Sequence, residues 1–192
     1  ALRSEGVPED RISITGNTVI DALEYVLSLP VPAGEVPPYP SPEHRLVLVT
    51  AHRRESFGEP FERLCLALRS VALAHPDVEI VYPVHLNPRV QEPVRKILAG
   101  VPRVHLVAPL SYRPFSQLMR RATLILTDSG GIQEEAPSLG FPVLVMREET
   151  ERPEAIEAGV ARLVGTSMEG ITAGAGRLLQ DESARREMIR SV

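Results

Sequence analysis

Leu124-Ile125-Leu126-Thr127-Asp128-Ser129-Gly130-Gly131 runs directly into Ile132-Gln133-Glu134-Glu135-Ala136-Pro137-Ser138-Leu139. An aliphatic run without polar alternation reads as a strand covered on both faces. The Ser-Gly-Gly turn then opens a helix. Five similar runs occur at Leu46–Thr50, Val78–Pro83, Val104–Ala108, Pro142–Met146 and Ala161–Val164. Between them lie segments with apolar residues three and four apart: Phe61, Leu64, Cys65, Leu68, Val71 and Ala72 on one helix, and Val90, Val94, Ile97 and Leu98 on another. Strands alternating with helices predict an α/β fold with a doubly wound parallel sheet, its right-handed crossovers placing helices on both faces. Six strands predict the order 3-2-1-4-5-6, in which the first and fourth are neighbours and ligands bind in the crevice at their carboxyl ends. The first strand ends in Thr50-Ala51-His52-Arg53-Arg54-Glu55 and the fourth in Thr127-Asp128-Ser129-Gly130-Gly131. The two most polar strand ends therefore share one crevice.

Upstream of this pattern, Pro30, Pro32, Pro37, Pro38, Pro40 and Pro42 crowd into 29–44. That density excludes helix and central strand and predicts an extended linker. Before it, Ile12-Ser13-Ile14-Thr15 reads as a strand, and Gly16-Asn17 as the turn and cap of a helix over Thr18–Leu27. One strand and one helix make no core, so residues 1–28 are expected to be an interdomain segment or the tail of a preceding domain, and 45–192 the main domain. The chain lacks an initiator Met and stops in a helical pattern at Ser191-Val192, so a portion of a longer enzyme is expected.

Of the 192 residues, 43% are hydrophobic and 24% charged, with only 4% aromatic, a globular balance that can bury a core without staples. No apolar run reaches the ~18 residues of a membrane helix, and the polar start is no signal peptide. A net charge of -4 without a basic block argues against nucleic acid as a partner. The lone Cys65 excludes an internal disulfide and is expected to pack in the core; a cytoplasmic location is the default.

Gly130 and Gly131 let backbone approach a ligand, and a helix amino terminus offers unpaired N–H groups and partial positive charge: a phosphate cradle. The turn is neither a P-loop nor a dinucleotide fingerprint. Glu134 and Glu135 suit the helix dipole; Glu135, about one turn past Gly131, also suits two ribose hydroxyls. His52 is placed to donate to a diphosphate or protonate a leaving oxygen. His85, ending the second strand in Pro83-Val84-His85-Leu86-Asn87-Pro88, is also on the crevice side. His44, His75 and His105 have no polar company in sequence and read as surface or strand residues. No histidine pair has metal-ligand spacing, so no metal is expected. The charged loop Arg147–Glu154 reads as a solvated loop or a rim of the site.

His52-Arg53-Arg54-Glu55-Ser56-Phe57-Gly58, Pro83–Pro88, Thr127–Pro137 and Thr150-Glu151-Arg152-Pro153-Glu154, in that order, resemble the non-hydrolysing bacterial UDP-N-acetylglucosamine 2-epimerases. Gly16-Asn17-Thr18-Val19-Ile20-Asp21 resembles that family's interdomain segment. The resemblance covers nearly the whole chain. It implies the carboxyl-terminal, Rossmann-like half of a two-domain, GT-B-like enzyme. It further implies that Ser129, Gly130 and Gly131 hold the diphosphate, Glu135 the ribose, Phe115 borders the uracil, and His52 acts catalytically beside the diphosphate. His85 and Arg53 match residues near an allosteric site that takes a second substrate molecule. The implied reaction interconverts UDP-N-acetylglucosamine and UDP-N-acetylmannosamine by eliminating and re-adding UDP, without cofactor or metal. The implied partners are UDP-sugar, the amino-terminal domain that carries the acid–base carboxylates, and a second copy in a homodimer. The 192 residues alone are then expected to fold and bind UDP weakly without turnover. A glycosyltransferase half, a hydrolysing 2-epimerase and a non-catalytic nucleotide-sugar-binding module remain as alternatives.

Overall fold

The computed structural model describes residues 2–31 and 34–190, with the backbone alone at 190. Pro32 of the proline-rich stretch, and Ser191 and Val192 of the expected helical end, lie outside the described residues. Strands β1 (Arg45–Thr50), β2 (Val78–Pro83), β3 (Val104–Val107), β4 (Ala122–Thr127), β5 (Val143–Val145) and β6 (Ala161–Leu163) form one sheet in the order β3-β2-β1-β4-β5-β6. Every pairing is parallel. The predicted order and all six runs are thus present, β2 with the expected ends and the others with ends shifted by at most two residues.

Helices follow the strands: α1 (Thr18–Ser28), α2 (Glu59–Ala74), α3 (Pro88–Leu98), α4 (Tyr112–Arg121), α5 (Gly130–Ser138), α6 (Pro153–Glu157), α7 (Met168–Gln180) and α8 (Glu182–Arg190). The sheet separates two apolar layers. Side chains alternate across a strand, so Val47 and Val49 of β1 face the layer built with α2, α3, α7 and α8, whereas Leu46 and Leu48 face the layer with α1, α4 and α5. The predicted faces of α2 and α3 are buried, apart from the half-buried Ile97. Cys65 lies in the first layer, and burial pushes its thiol up to about 12. β3, at the sheet edge, is only half-buried along its length.

Three expectations need correction. Residues 12–15 form no strand: Ile14 is 94% exposed, and the segment borders none of the six strands, so no ladder is available to satisfy its backbone. α5 begins at Gly130 instead of Ile132, which makes both glycines part of its first turn. His44 and His105 do have polar company. Both rings lie 2.7 Å from the carboxylate of Glu79, which is buried at the amino end of β2. Ser41 adds its hydroxyl (2.6 Å) and amide (3.0 Å), and Tyr39 stacks on His105 with centroids 3.5 Å apart. Burial alone would raise the Glu79 carboxyl; the hydroxyl and amide of Ser41, then His44 and His105, hold it down at about 2. The end of the proline-rich stretch is therefore fastened to the sheet.

The helix expected at 18–27 is present, and the Asn17 side chain accepts from the Val19 amide at 3.1 Å, as its capping role requires. α1 packs on α4 and α5, and Leu23 is fully buried in the second apolar layer. The Asn17 amide also donates to Glu134 at 2.7 Å, tying the start of α1 to α5.

Candidate functional site: the crevice between β1 and β4

β1 and β4 are in register up to Thr50 and Thr127, whose hydroxyls meet at 2.6 Å. Beyond this pair the chains diverge into loops, and Asp128 joins them. Its side chain is fully buried, and Oδ2 accepts from the amides of both His52 and Arg53 at 2.7 Å. The second oxygen makes no hydrogen bond and lies 3.8 Å from Nδ1 of His52. Burial raises the Asp128 carboxyl, against the amides of Arg53 and His52, which lower it. One carboxylate thus fixes the direction in which the β1 loop leaves the sheet. Sequence reasoning missed it, because an acid after a strand is an ordinary loop residue until its partners are known.

The Thr127 hydroxyl accepts from the Ser129 amide at 2.9 Å. Ser129 occupies the N-cap position of α5, but its hydroxyl makes no capping bond. Gly130 and Gly131 are therefore the first two helical residues, and the first N–H groups of a helix have no partner within it. Neither glycine has a positive φ, so the backbone does not demand glycine. A Cβ on Gly131 would meet only Glu135 Oε1 at 3.5 Å, an ordinary contact. Glycine there leaves the approach to the helix terminus clear. A Cβ on Gly130 would come 2.7 Å from Glu151 Oε1, so that position is already approached by an internal carboxylate.

His52 is exposed and stacks on His85, with centroids 5.2 Å apart and ring planes 10° from parallel. The ends of β1 and β2 are thereby joined. Nδ1 of His85 accepts from the Asn87 amide at 3.1 Å. Arg53 turns towards the other side of the crevice, pairing with Glu55 at 3.3 Å and Glu151 at 3.2 Å. Glu135 is nearly buried and accepts from the Tyr112 hydroxyl at 2.7 Å. Burial raises the Glu135 carboxyl, against this hydrogen bond, and Tyr112 is pushed up to about 12 by burial and by Glu135 itself. Phe115, three residues after Tyr112 on α4, is half-buried against the second apolar layer.

The loop after β5 is tied down rather than loosely solvated. Thr150 donates to the buried Gln133, Glu148 accepts from the amide and hydroxyl of Thr166, and Arg152 pairs with Glu134. Arg53, Arg147, Ser56 and Thr166 line a cleft of about 440 Å³ between this loop and the end of β1. Among the described residues no cluster of three or more His, Cys, Asp or Glu could hold a metal ion, and no helix is long and apolar enough to cross a membrane. The crevice thus combines a helix terminus open at Gly131, the stacked imidazoles of His52 and His85 and a pair of arginines, a donor set suited to an anion carrying several phosphoryl oxygens.

Comparison with known proteins points the same way. The UDP-N-acetylglucosamine 2-epimerase from Salmonella typhimurium is 54% identical over 99% of this chain, which covers 52% of that protein. The Neisseria meningitidis UDP-GlcNAc 2-epimerase, solved bound to UDP-GlcNAc, superposes with a TM-score of 0.85 at 40% identity, over 97% of this chain and 52% of that one. The Methanocaldococcus jannaschii enzyme, in complex with UDP-GlcNAc and UDP, gives 0.75 at 26% identity, over 98% and 56%. The chain therefore spans about half the length of these relatives. The family model described as UDP-N-acetylglucosamine 2-epimerase matches residues 1–192. With a doubly wound sheet of the expected order and a match along its whole length, the chain belongs to the UDP-N-acetylglucosamine 2-epimerase family.

Proposed function

We propose that this chain is the nucleotide-binding half of a UDP-N-acetylglucosamine 2-epimerase, and that UDP lies across the carboxyl ends of β1 and β4. The observation that carries the reading is the amino terminus of α5, open to ligand at Gly131, with the β1 loop bound to β4 through Asp128. The Neisseria and Methanocaldococcus relatives with bound UDP-GlcNAc support it. Ser129, Gly130 and Gly131 take the diphosphate through main-chain N–H groups. Glu135 offers Oε1 to the ribose, its other oxygen being held by Tyr112. Phe115 borders the base.

In the reaction, a base on the partnering half removes the proton from C2 of the sugar. The C1–O bond then breaks, its electron pair passing to the β-phosphate oxygen, and a glucal and UDP result. Return of UDP to C1 with protonation of C2 from the opposite face gives the epimer. The role of this chain is to stabilise charge on the departing diphosphate, where fixed N–H dipoles are most effective. In this reading His52 donates to that leaving oxygen, His85 borders a second, allosteric nucleotide-sugar, and Arg53, which turns towards Glu151, lies between that second site and the diphosphate. Residues 1–28 serve as the interdomain segment, and the complete enzyme pairs as a homodimer in the cytoplasm.

UDP titration into the 192-residue chain tests the binding half of this reading. Amide resonances of Gly130, Gly131 and His52 are expected to shift together, with no conversion of UDP-N-acetylglucosamine. Fused to an amino-terminal half, the chain is expected to exchange the C2 hydrogen with deuterated water. A chain whose crevice resonances ignore UDP would sink the proposal. Transfer of sugar without C2 exchange would instead favour a glycosyltransferase.

A further inference from the structure

Glu151 sits beside the first residue of α5. Its Oε1 approaches the first residue of α5 so closely that a Cβ on Gly130 would lie 2.7 Å from it. The same oxygen is 3.2 Å from Nη1 of Arg53, and Oε2 is 2.6 Å from Nη1 of Arg147. That second pair joins residues four apart on the loop after β5. The three cationic elements come from different strands: Arg53 after β1, α5 after β4 and Arg147 after β5. Their convergence on one carboxylate makes Glu151 an internal counterion of the crevice. Its own backbone amide, then Arg147 and Arg53, hold the carboxyl down at about 2, so it is charged throughout the working range.

We propose that Glu151 is a resident anion of the phosphate cradle that an incoming phosphoryl group must displace, and that it thereby sets the charge a ligand needs in order to bind. The inference rests on the cradle reading above and adds a competitor to it. A phosphate monoester carries close to two negative charges and a diphosphate more. Such a group can take over both arginines and the α5 amides together. Uridine brings no charge and leaves the carboxylate seated. Displacement lowers the apparent affinity by the fraction of molecules in which the cradle is open. Glu151 is 43% exposed, and partly exposed ion pairs contribute little, so the penalty is a factor of roughly ten.

Calorimetric titration of the wild-type chain, Glu151→Gln and Glu151→Ala with uridine, UMP, UDP and inorganic pyrophosphate tests the proposal. Amide spectra of each chain would establish that all three fold alike. Both variants are expected to bind UDP and pyrophosphate roughly five- to tenfold more tightly than wild type, with no gain for uridine. Unchanged or weaker UDP binding would overturn the proposal, showing that Glu151 holds the arginines in place for the ligand, and would leave the cradle reading intact. An equal gain for uridine would also overturn it, since charge would not be what is selected. Failure of UDP and pyrophosphate to bind any of the three chains would remove the cradle and this proposal with it.

Discussion

Gly131 and Asp128 separate binding from folding at the scale of single residues. Gly131 lies in the first turn of α5 with a helical φ and room for a methyl group. Alanine there gains helix propensity of up to about 1 kcal/mol while placing a Cβ on the ligand's approach. Gly131→Ala is therefore expected to leave stability unchanged or slightly raised in urea unfolding, and to weaken UDP binding at least tenfold in titration. Asp128 shows the opposite coupling. Removing its carboxylate abandons two main-chain donors, so Asp128→Ala should cost about 2 kcal/mol in urea unfolding and also weaken UDP. Asp128→Asn keeps an accepting oxygen and should cost less on both counts. That the double glycine, Glu135 and His52 border one crevice was legible in the sequence, because the strand order sets the ends of β1 and β4 side by side. Asp128 and Glu151 were not, since their partners lie 75 and 98 residues away along the chain.

Among elements, the strap from Tyr39 to His44 is held by one buried acid at the amino end of β2. Its carboxyl sits at about 2 in the folded chain against an ordinary value of 4.5. A lowered folded value means stability that is complete above about pH 4.5 and drains away as the pH falls towards 2, a contribution on the order of 3 kcal/mol. Glu79→Gln is expected to lose much of that contribution at neutral pH and to flatten the acid limb, as read by thermal unfolding between pH 2 and 6. The aliphatic runs betrayed the central strands because burial on both faces permits little else, and betrayed the half-buried edge strands β3 and β6 by the same short runs between helices. The strap was invisible for a physical reason: Ser41, His44, Glu79 and His105 each look like isolated polar residues until parallel pairing of β1, β2 and β3 sets them side by side. Conversely, Ile12–Thr15 showed a strand's alternation without a neighbour to pair with.

For the whole molecule, the question is whether α1 belongs to the same cooperative unit as the sheet. Leu23 is fully buried between α1 and the second apolar layer. Leu23→Ala is expected to cost 2–5 kcal/mol, the usual range for emptying a well-packed leucine site. If α1 unfolds with the sheet, denaturation followed at α1 and at β4 amides should give one midpoint, shifted equally by the substitution; two midpoints would mark α1 as a separate unit. The molecule has two polar poles. The β1–β4 crevice lies beyond the carboxyl ends of the strands and the Glu79 cluster near the amino ends of β1, β2 and β3, with a run of aliphatic side chains between them. Evolution, or a laboratory library, can consequently rewrite the residues that choose a ligand while drawing on a reserve of robustness anchored at the far pole. Crevices randomised on this scaffold with Asp128 retained should yield mostly well-behaved proteins, differing in what they recognise and hardly at all in whether they survive.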